Sequence, residues 1–210
     1  GLTTNTDIKA AIETANTTAG SAAVTAVADA ATKLATTPAT ATTADVLKTL
    51  QSDELIVKNL IPANIEAYIA EDLTKKSASE ALDAATLQTK IDKANAVVAL
   101  NAATTAAEAK RAIAALNIEN FTNVKTADKE YVAEQVLKAR KDETDAKFAT
   151  STAVTTKVEA AITAYKAVLA NFTAPAASTS AQITALKTLK DDAFDNHADQ
   201  AAVAEYFALH

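Results

Sequence analysis

The sequence predicts an all-α chain: small three-helix units in tandem, arranged end to end and elongated. Three observations lead there. Tyr68-Ile69-Ala70-Glu71-Asp72-Leu73 returns as Tyr131-Val132-Ala133-Glu134-Gln135-Val136, 63 residues later, and a weaker copy of Ala127–Glu134 closes the chain at Ala198–Glu205. A repeat of this length is one supersecondary unit, so the chain reads as units in a row. There are 54 Ala against two Gly and three Pro, so strong helix formers dominate and breakers are scarce. Apolar residues recur at helical spacing, and no strand-type alternation runs far enough to compete. Threonine favours strands in general, but its 31 copies gather at caps and joints.

The expected boundaries are 1–38 for a partial N-terminal helical unit, 39–100 and 101–175 for two full three-helix repeats, and 176–210 for a partial, truncated repeat. The first segment of each unit is short and opens at a threonine-rich cap. In the middle unit Thr105 and Glu108 have capping-box spacing, and Ala109, Ile113 and Leu116 follow on one face. Its counterpart before it is Ala41–Lys48, with Val46 and Leu50 facing in. Its counterpart after it is Ser178–Ile183, where Thr179 and Gln182 repeat the box.

The second segment bears the tyrosine. Ile65, Ile69 and Leu73 form a stripe at four-residue spacing, as do Val132, Val136 and Ala139. Thr126 suits an N-cap and Pro62 a first helical turn. The third segment is the longest. Val154, Val158, Ala161, Ile162, Tyr165, Val168 and Leu169 share a face, repeated by Leu87, Ile91, Ala94 and Val98. Thr89-Lys90-Ile91-Asp92 matches Thr156-Lys157-Val158-Glu159, and Ser77 with Glu80 is placed to cap the earlier copy.

The first 38 residues fit less well. Ile8-Lys9-Ala10-Ala11-Ile12 is similar to Val158-Glu159-Ala160-Ala161-Ile162, which makes it the third helix of an earlier unit, with a second Ala-rich helix expected after Gly20. Thr36–Thr43 and Phe172–Thr179 read as Thr/Pro/Ala joints. The last unit stops at His210 after two segments. With no Met anywhere, Gly1 reads as the start of a fragment or a processed product.

Composition removes several function classes. Aromatic residues are only 4% and Trp is absent, so large ligand pockets and aromatic hot spots are poorly supplied. The net charge is −6, and no basic face is visible for nucleic acid or an anionic membrane surface. No stretch reaches the roughly 18 continuous apolar residues of a transmembrane helix, and the start is no signal peptide. Without cysteine there are no disulfides, thiol chemistry or Cys-based zinc sites.

The middle unit resembles a helical repeat of surface-layer and related cell-surface proteins of bacillus-type Gram-positive bacteria. The likeness is carried by Leu100-Asn101-Ala102-Ala103-Thr104-Thr105-Ala106-Ala107-Glu108 and by Ala127–Arg140, with its Tyr131-Val132-Ala133-Glu134-Gln135-Val136-Leu137-Lys138-Ala139-Arg140 run. The family's pattern has an Asn-Ala-Ala-Thr-Thr opening and a helix ending in Val-Ala-Glu-x-Val-Leu-x-x-Arg. The unit before it departs, with no Arg at the end of its second helix and Ile61-Pro62 in its loop. The last unit keeps only Ala198-Asp199 and Val203-Ala204-Glu205. The resemblance implies an exported, non-catalytic protein of the cell envelope.

Candidate sites are few, and each has a plain structural alternative. His197 lies in Asp191-Asp192-Ala193-Phe194-Asp195-Asn196-His197-Ala198-Asp199. A metal site there lacks the glycine turn and the ordered ligand spacing of a calcium loop, and a solvated loop capping a helix suits it better. Asp142-Glu143-Thr144-Asp145, flanked by Lys141 and Lys147, offers carboxylates to a structural calcium ion or simply forms a solvated mixed-charge face. Tyr68 and Tyr131 are either a sugar platform or, more simply, half-buried core tyrosines at the edge of a small bundle. Asn16-Thr17-Thr18, Asn120-Phe121-Thr122 and Asn171-Phe172-Thr173 are formal glycosylation sequons, a pattern that chance supplies in a Thr-rich chain. Thr36, Thr37 and Thr40 offer hydroxyls for modification on composition alone. No nucleophilic triad and no phosphate-cradling glycine loop is present, and the carboxylates are expected at solvated helical positions with no pocket to raise a pKa.

The expectation is therefore a structural segment, a spacer or lattice-building part of a bacterial surface layer, with no enzyme activity. No catalytic, cofactor-binding or metal-ligating residue is assigned, and structural calcium is the one ion considered. The expected partners are other copies of the chain or neighbouring domains of the same surface protein, and cell-wall polymer after them, with neither nucleic acid nor membrane insertion. A binding module for cell-wall polymer or a host ligand is the alternative. It is weakened by only two arginines, Arg111 and Arg140, and by dispersed lysines.

Overall fold

A computed structural model describes residues 4–37, 39–77, 80–126 and 128–173. The fold is all-α, with one very small antiparallel hairpin. The described α-helices are α1 (Asn5–Ala35), α2 (Thr43–Leu50), α3 (Ile65–Ala70), α4 (Ala84–Ala102), α5 (Ala106–Ala115), α6 (Glu119–Thr122), α7 (Lys129–Arg140) and α8 (Ser151–Thr173). The hairpin pairs β1 (Lys75–Ser77) with β2 (Glu80–Ala81). The chain divides into two compact units, 1–102 with 147–153, and 103–146 with 154–210.

In the first unit, α1, α2, α3 and α4 surround one core. Val24 and Val27 of α1 meet Val46 and Leu50 of α2, Tyr68 of α3, and Leu87 and Ile91 of α4. Small side chains at Ala23, Ala30, Ala31 and Ala94 are buried in the same cluster, which lets the helices come close. Ile65 and Ile69 pack on it half-buried, and Leu73, just past α3, is buried within it.

α1 is one continuous helix, not two. The sequence suggests a break at Gly20, yet the helix runs straight through it. Alanines around Gly20 outweigh its cost. The hydroxyls of Thr14, Thr17, Thr18 and Thr25 bond back to the carbonyl four residues earlier, which satisfies them at a slight cost to the helix that the alanines also offset. The joint expected at Thr36–Thr43 follows as non-helical chain at its described positions up to Thr42, with Thr43 already in α2, and Thr40 N–H donates to Lys33 O at 3.1 Å to close the helix end. The first half of α1 departs from its expected burial: Ile8 and Ile12 are exposed.

α2 starts in a full capping box. Thr42 Oγ1 accepts from Asp45 N–H at 3.3 Å, and Asp45 accepts from Thr42 N–H at 2.7 Å. Pro62 opens a short 3-10 turn, Pro62–Asn64, which leads into α3. Ser77 and Glu80 do not cap α4. They sit in the hairpin, Ser77 Oγ bonded to Glu80 at 3.2 Å, and Asp83 caps the helix instead by accepting from Thr86 N–H at 2.7 Å. A carboxylate one residue before the first helical position can reach the free amides, whereas Ser77 lies too early.

In the second unit α5 packs against α7. Ala109, Ile113 and Leu116 are buried, as are Val132, Ala133 and Val136. Phe121 on the short helix α6, which the repeat did not predict, is also buried. Val154, Val158, Ala161, Ile162 and Tyr165 of α8 are buried on the expected face. α7 begins at Lys129 with Asp128 in the cap position and no side-chain cap bond, so Thr126 lies before the helix rather than capping it. The box at Ser178–Ile183, the acidic stretch around His197, the copy at Ala198–Glu205 and the side chains of Val168, Leu169 and Asn171 lie outside the described residues.

Candidate functional site

The two tyrosines of the repeat sit in different surroundings. Tyr68 is fully buried, not half-buried. Its hydroxyl accepts from Ile61 N–H and donates to Asn95 Oδ1, both at 2.8 Å. Asn95 extends the network, accepting from Asn64 Nδ2 and donating to Asn59 O, each at 2.8 Å. One ring thus fixes the loop before α3 onto α4. Gln88 adds a two-bond clasp to the same loop, accepting from Lys58 N–H at 2.8 Å and donating to Lys58 O at 3.0 Å. Tyr131 is half-buried and lies against Tyr165, ring centroids 5.6 Å apart at 43°. Burial, with the Asp128 carboxylate beside it, pushes the Tyr165 hydroxyl up to about 12. Neither ring offers the exposed flat face that a sugar stacks on.

Two concavities stand out, both in the first unit. The larger is an open groove of about 680 Å³ between α1 and α2, floored by alanines and edged by Asp29, Lys33, Asp45, Lys48 and Glu54. It has no aromatic wall, and its charges alternate in sign. The smaller, about 370 Å³, is lined by Glu71, Lys76, Lys90, Lys93, Ser151 and hydroxyls of neighbouring threonines. Its charges are largely engaged inside the fold. Lys90 Nζ donates to Glu71 O at 2.8 Å, and Lys76 pairs with Asp83 at 3.3 Å.

Glu71 is the residue that sequence reasoning missed. It does not sit at a solvated helical position. It is half-buried, and its carboxylate accepts from Ser151 N–H at 2.5 Å and from Ser151 Oγ at 2.7 Å. It therefore caps the start of α8 from 80 positions away in the chain. The recurrence of Glu in the Tyr-x-Ala-Glu motif was the available signal, but Glu134 does something else, pairing with Lys138 at 3.9 Å on the surface. Asn101 makes a second clasp near the same joint. It donates to Phe148 O and accepts from Phe148 N–H, both at 2.9 Å.

The acidic run Asp142–Asp145 forms a tight turn into a 3-10 segment, Thr144–Ala146, with Asp145 at φ 55°. Glu143 is tied to Lys157 Nζ at 2.8 Å, which raises the lysine above its ordinary pKa. Among the described residues no group of three or more His, Asp or Glu is placed to hold a metal ion. Of the sequons, Asn16 is exposed within α1 and Asn120 is exposed on α6. Thr36, Thr37 and Thr40 are exposed, and the Thr36 hydroxyl donates to Lys33 O. No described helix is long and apolar enough to cross a membrane.

Glu108 is the most strongly perturbed acid. Amide donors at Thr104 and Thr105 hold its carboxyl down at about 2. Asp45, Asp72 and Asp83 are lowered for the same kind of reason, by bonds from Thr42, Thr74 and Thr86. Perturbed acids elsewhere mark catalysis, but here each sits at a helix start or tight turn and satisfies backbone amides. Compared with known proteins, the chain matches no family model, no curated protein and no solved structure.

Proposed function

We propose that this chain is a structural, non-catalytic segment of a bacterial cell-surface protein, serving as a spacer or as a lattice-building part of a surface layer. The supporting observation is the recurrence of one order of elements. A Thr-capped short helix, a tyrosine-bearing helix and a long helix occur in the order α2, α3, α4, with the hairpin before α4, and in the order α5, α7, α8, with α6 between the first two. Polar side chains serve caps and joints: Thr42, Thr105, Glu71, Asn95 and Asn101 hold helix starts and loops in place. Such a chain is built to keep its shape and to set distances between whatever lies on either side. Its resemblance to surface-layer repeats, carried by Leu100–Glu108 and Ala127–Arg140, supports the cell-envelope setting.

The test is location on the intact cell. An antibody raised against the purified chain should label unpermeabilised cells of the encoding bacterium, and the antigen should fractionate with the wall. Labelling that appears only after permeabilisation would remove the surface reading.

A further inference from the structure

Residues 147–153 belong to the first unit, although the chain on both sides of them belongs to the second. Two clasps hold this strap. Phe148 is buried, its N–H donates to Asn101 Oδ1 and its carbonyl accepts from Asn101 Nδ2, both at 2.9 Å. Ser151 is buried too, and its N–H and hydroxyl donate to the Glu71 carboxylate at 2.5 and 2.7 Å. The turn that leads into the strap is strained. Asp145 and Ala146 stand at φ 55° and 53°, the one adjacent pair of left-handed residues among the described ones. The other described residues of this kind, Asn59, Asp72 and Asn117, carry short polar side chains that tolerate the left-handed region. Ala146 has no such side chain, and its exposed methyl gains little burial that would offset the strain. The turn is closed by Ala146 N–H donating to Glu143 O at 2.9 Å.

A strained hinge beside a well-seated segment favours exchange of that segment between copies. We propose that two copies of this chain exchange the strap: residues 147–153 of one copy, with α8 following, take the seat formed by Asn101 and Glu71 of the other. The occupant is a second copy because the seat already fits this chain's own Phe148 and Ser151. Each clasp bond is remade across the two chains, so exchange sacrifices none of them. Asp145 and Ala146 leave the left-handed region as the turn opens into an extended hinge, and that relief favours the exchanged form. Joining two chains has an entropic cost, which rising concentration offsets. The inference rests on the lattice-building side of the proposed function and gives copies a means of joining.

The test refolds the full chain from urea over a concentration series and separates the products by size. The wild type should give a dimer whose share grows with the refolding concentration. Ala146→Gly accepts the positive φ without strain and should lower the dimerisation constant at least about tenfold. Ala146→Pro cannot hold a positive φ and loses the N–H that donates to Glu143 O, so it should raise the constant by a similar factor. Ala146 is exposed, so neither change touches the core, and the glycine variant carries the test if the proline chain does not fold. In a dimer assembled from isotope-labelled and unlabelled chains, NMR should show Asn101 of one chain against Phe148 of the other, a contact that side-by-side association does not make. A wild type that stays monomeric at every concentration, a glycine variant that dimerises as readily, or a dimer without that cross-chain contact overturns the proposal. A monomeric chain that still labels intact cells overturns strap exchange and leaves the spacer reading standing.

Discussion

Gly20 sits inside a helix with open space where a side chain would go. A Cβ there would meet only Glu54 O, at an ordinary 3.9 Å. Gly20→Ala should therefore stabilise the chain by about 0.5–1 kcal/mol, seen as a higher urea midpoint with an unchanged slope. A lower midpoint would mean that α1 needs flexibility at this point. Tyr68 is the opposite kind of residue, since everything it touches depends on it. Tyr68→Phe keeps the ring but leaves Ile61 N–H without its partner, and should cost about 1–2 kcal/mol in the same urea experiment. Glu108 gives a pH signature. Its carboxyl is held near 2 in the folded chain, against an ordinary value of 4.5. A lowered carboxyl stabilises the fold in its charged form, so the benefit is complete above about 4.5 and fades as the pH falls towards 2. The melting temperature of wild type should exceed that of Glu108→Gln at pH 7, and the gap should close progressively below pH 4.5. A gap that holds constant to pH 2 would remove the capping role.

At the scale of elements, the difference between what the sequence discloses and what it conceals follows the reach of each interaction. The Thr105–Glu108 box spans three positions, so both its members are visible in one short window, and the structure has both of its bonds. The stripe Leu87, Ile91, Ala94 is legible because burial on one face imposes the helical period. The distant cap of α8 is not legible, although Thr150 Oγ1 also accepts from Ala153 N–H at 3.2 Å there. Glu71 and Ser151 are brought together only by the packing around them, and no local pattern marks a carboxylate that serves a distant helix. Gly20 misleads because a single glycine suggests a stop, where the neighbouring alanines carry the helix through. Ser77 and Glu80 misled because a capping-box spacing is also the spacing of a tight hairpin. The distant cap is testable by itself. Glu71→Ala should raise amide exchange at Ser151 while leaving Ala153, which donates to Thr150 Oγ1, and α5 unchanged, with about 1 kcal/mol lost overall. Protection unchanged at Ser151 would show that its amide is held by other means.

At the scale of the whole molecule, the proposed spacer role depends on how the units are arranged along the chain. Among the described residues, Tyr68 anchors a loop, Glu143 pairs with Lys157 and Glu71 caps the start of α8. A chain built this way serves as a spacer when its units are strung out rather than gathered into one globule. Small-angle X-ray scattering on the purified chain, extrapolated to infinite dilution and repeated with millimolar calcium, tests that claim most directly. A single compact globule of this length has a radius of gyration of about 17 Å. The account predicts a value well above that at infinite dilution, with apparent mass rising as concentration rises. A radius near 17 Å, indifferent to concentration and to calcium, would contradict it.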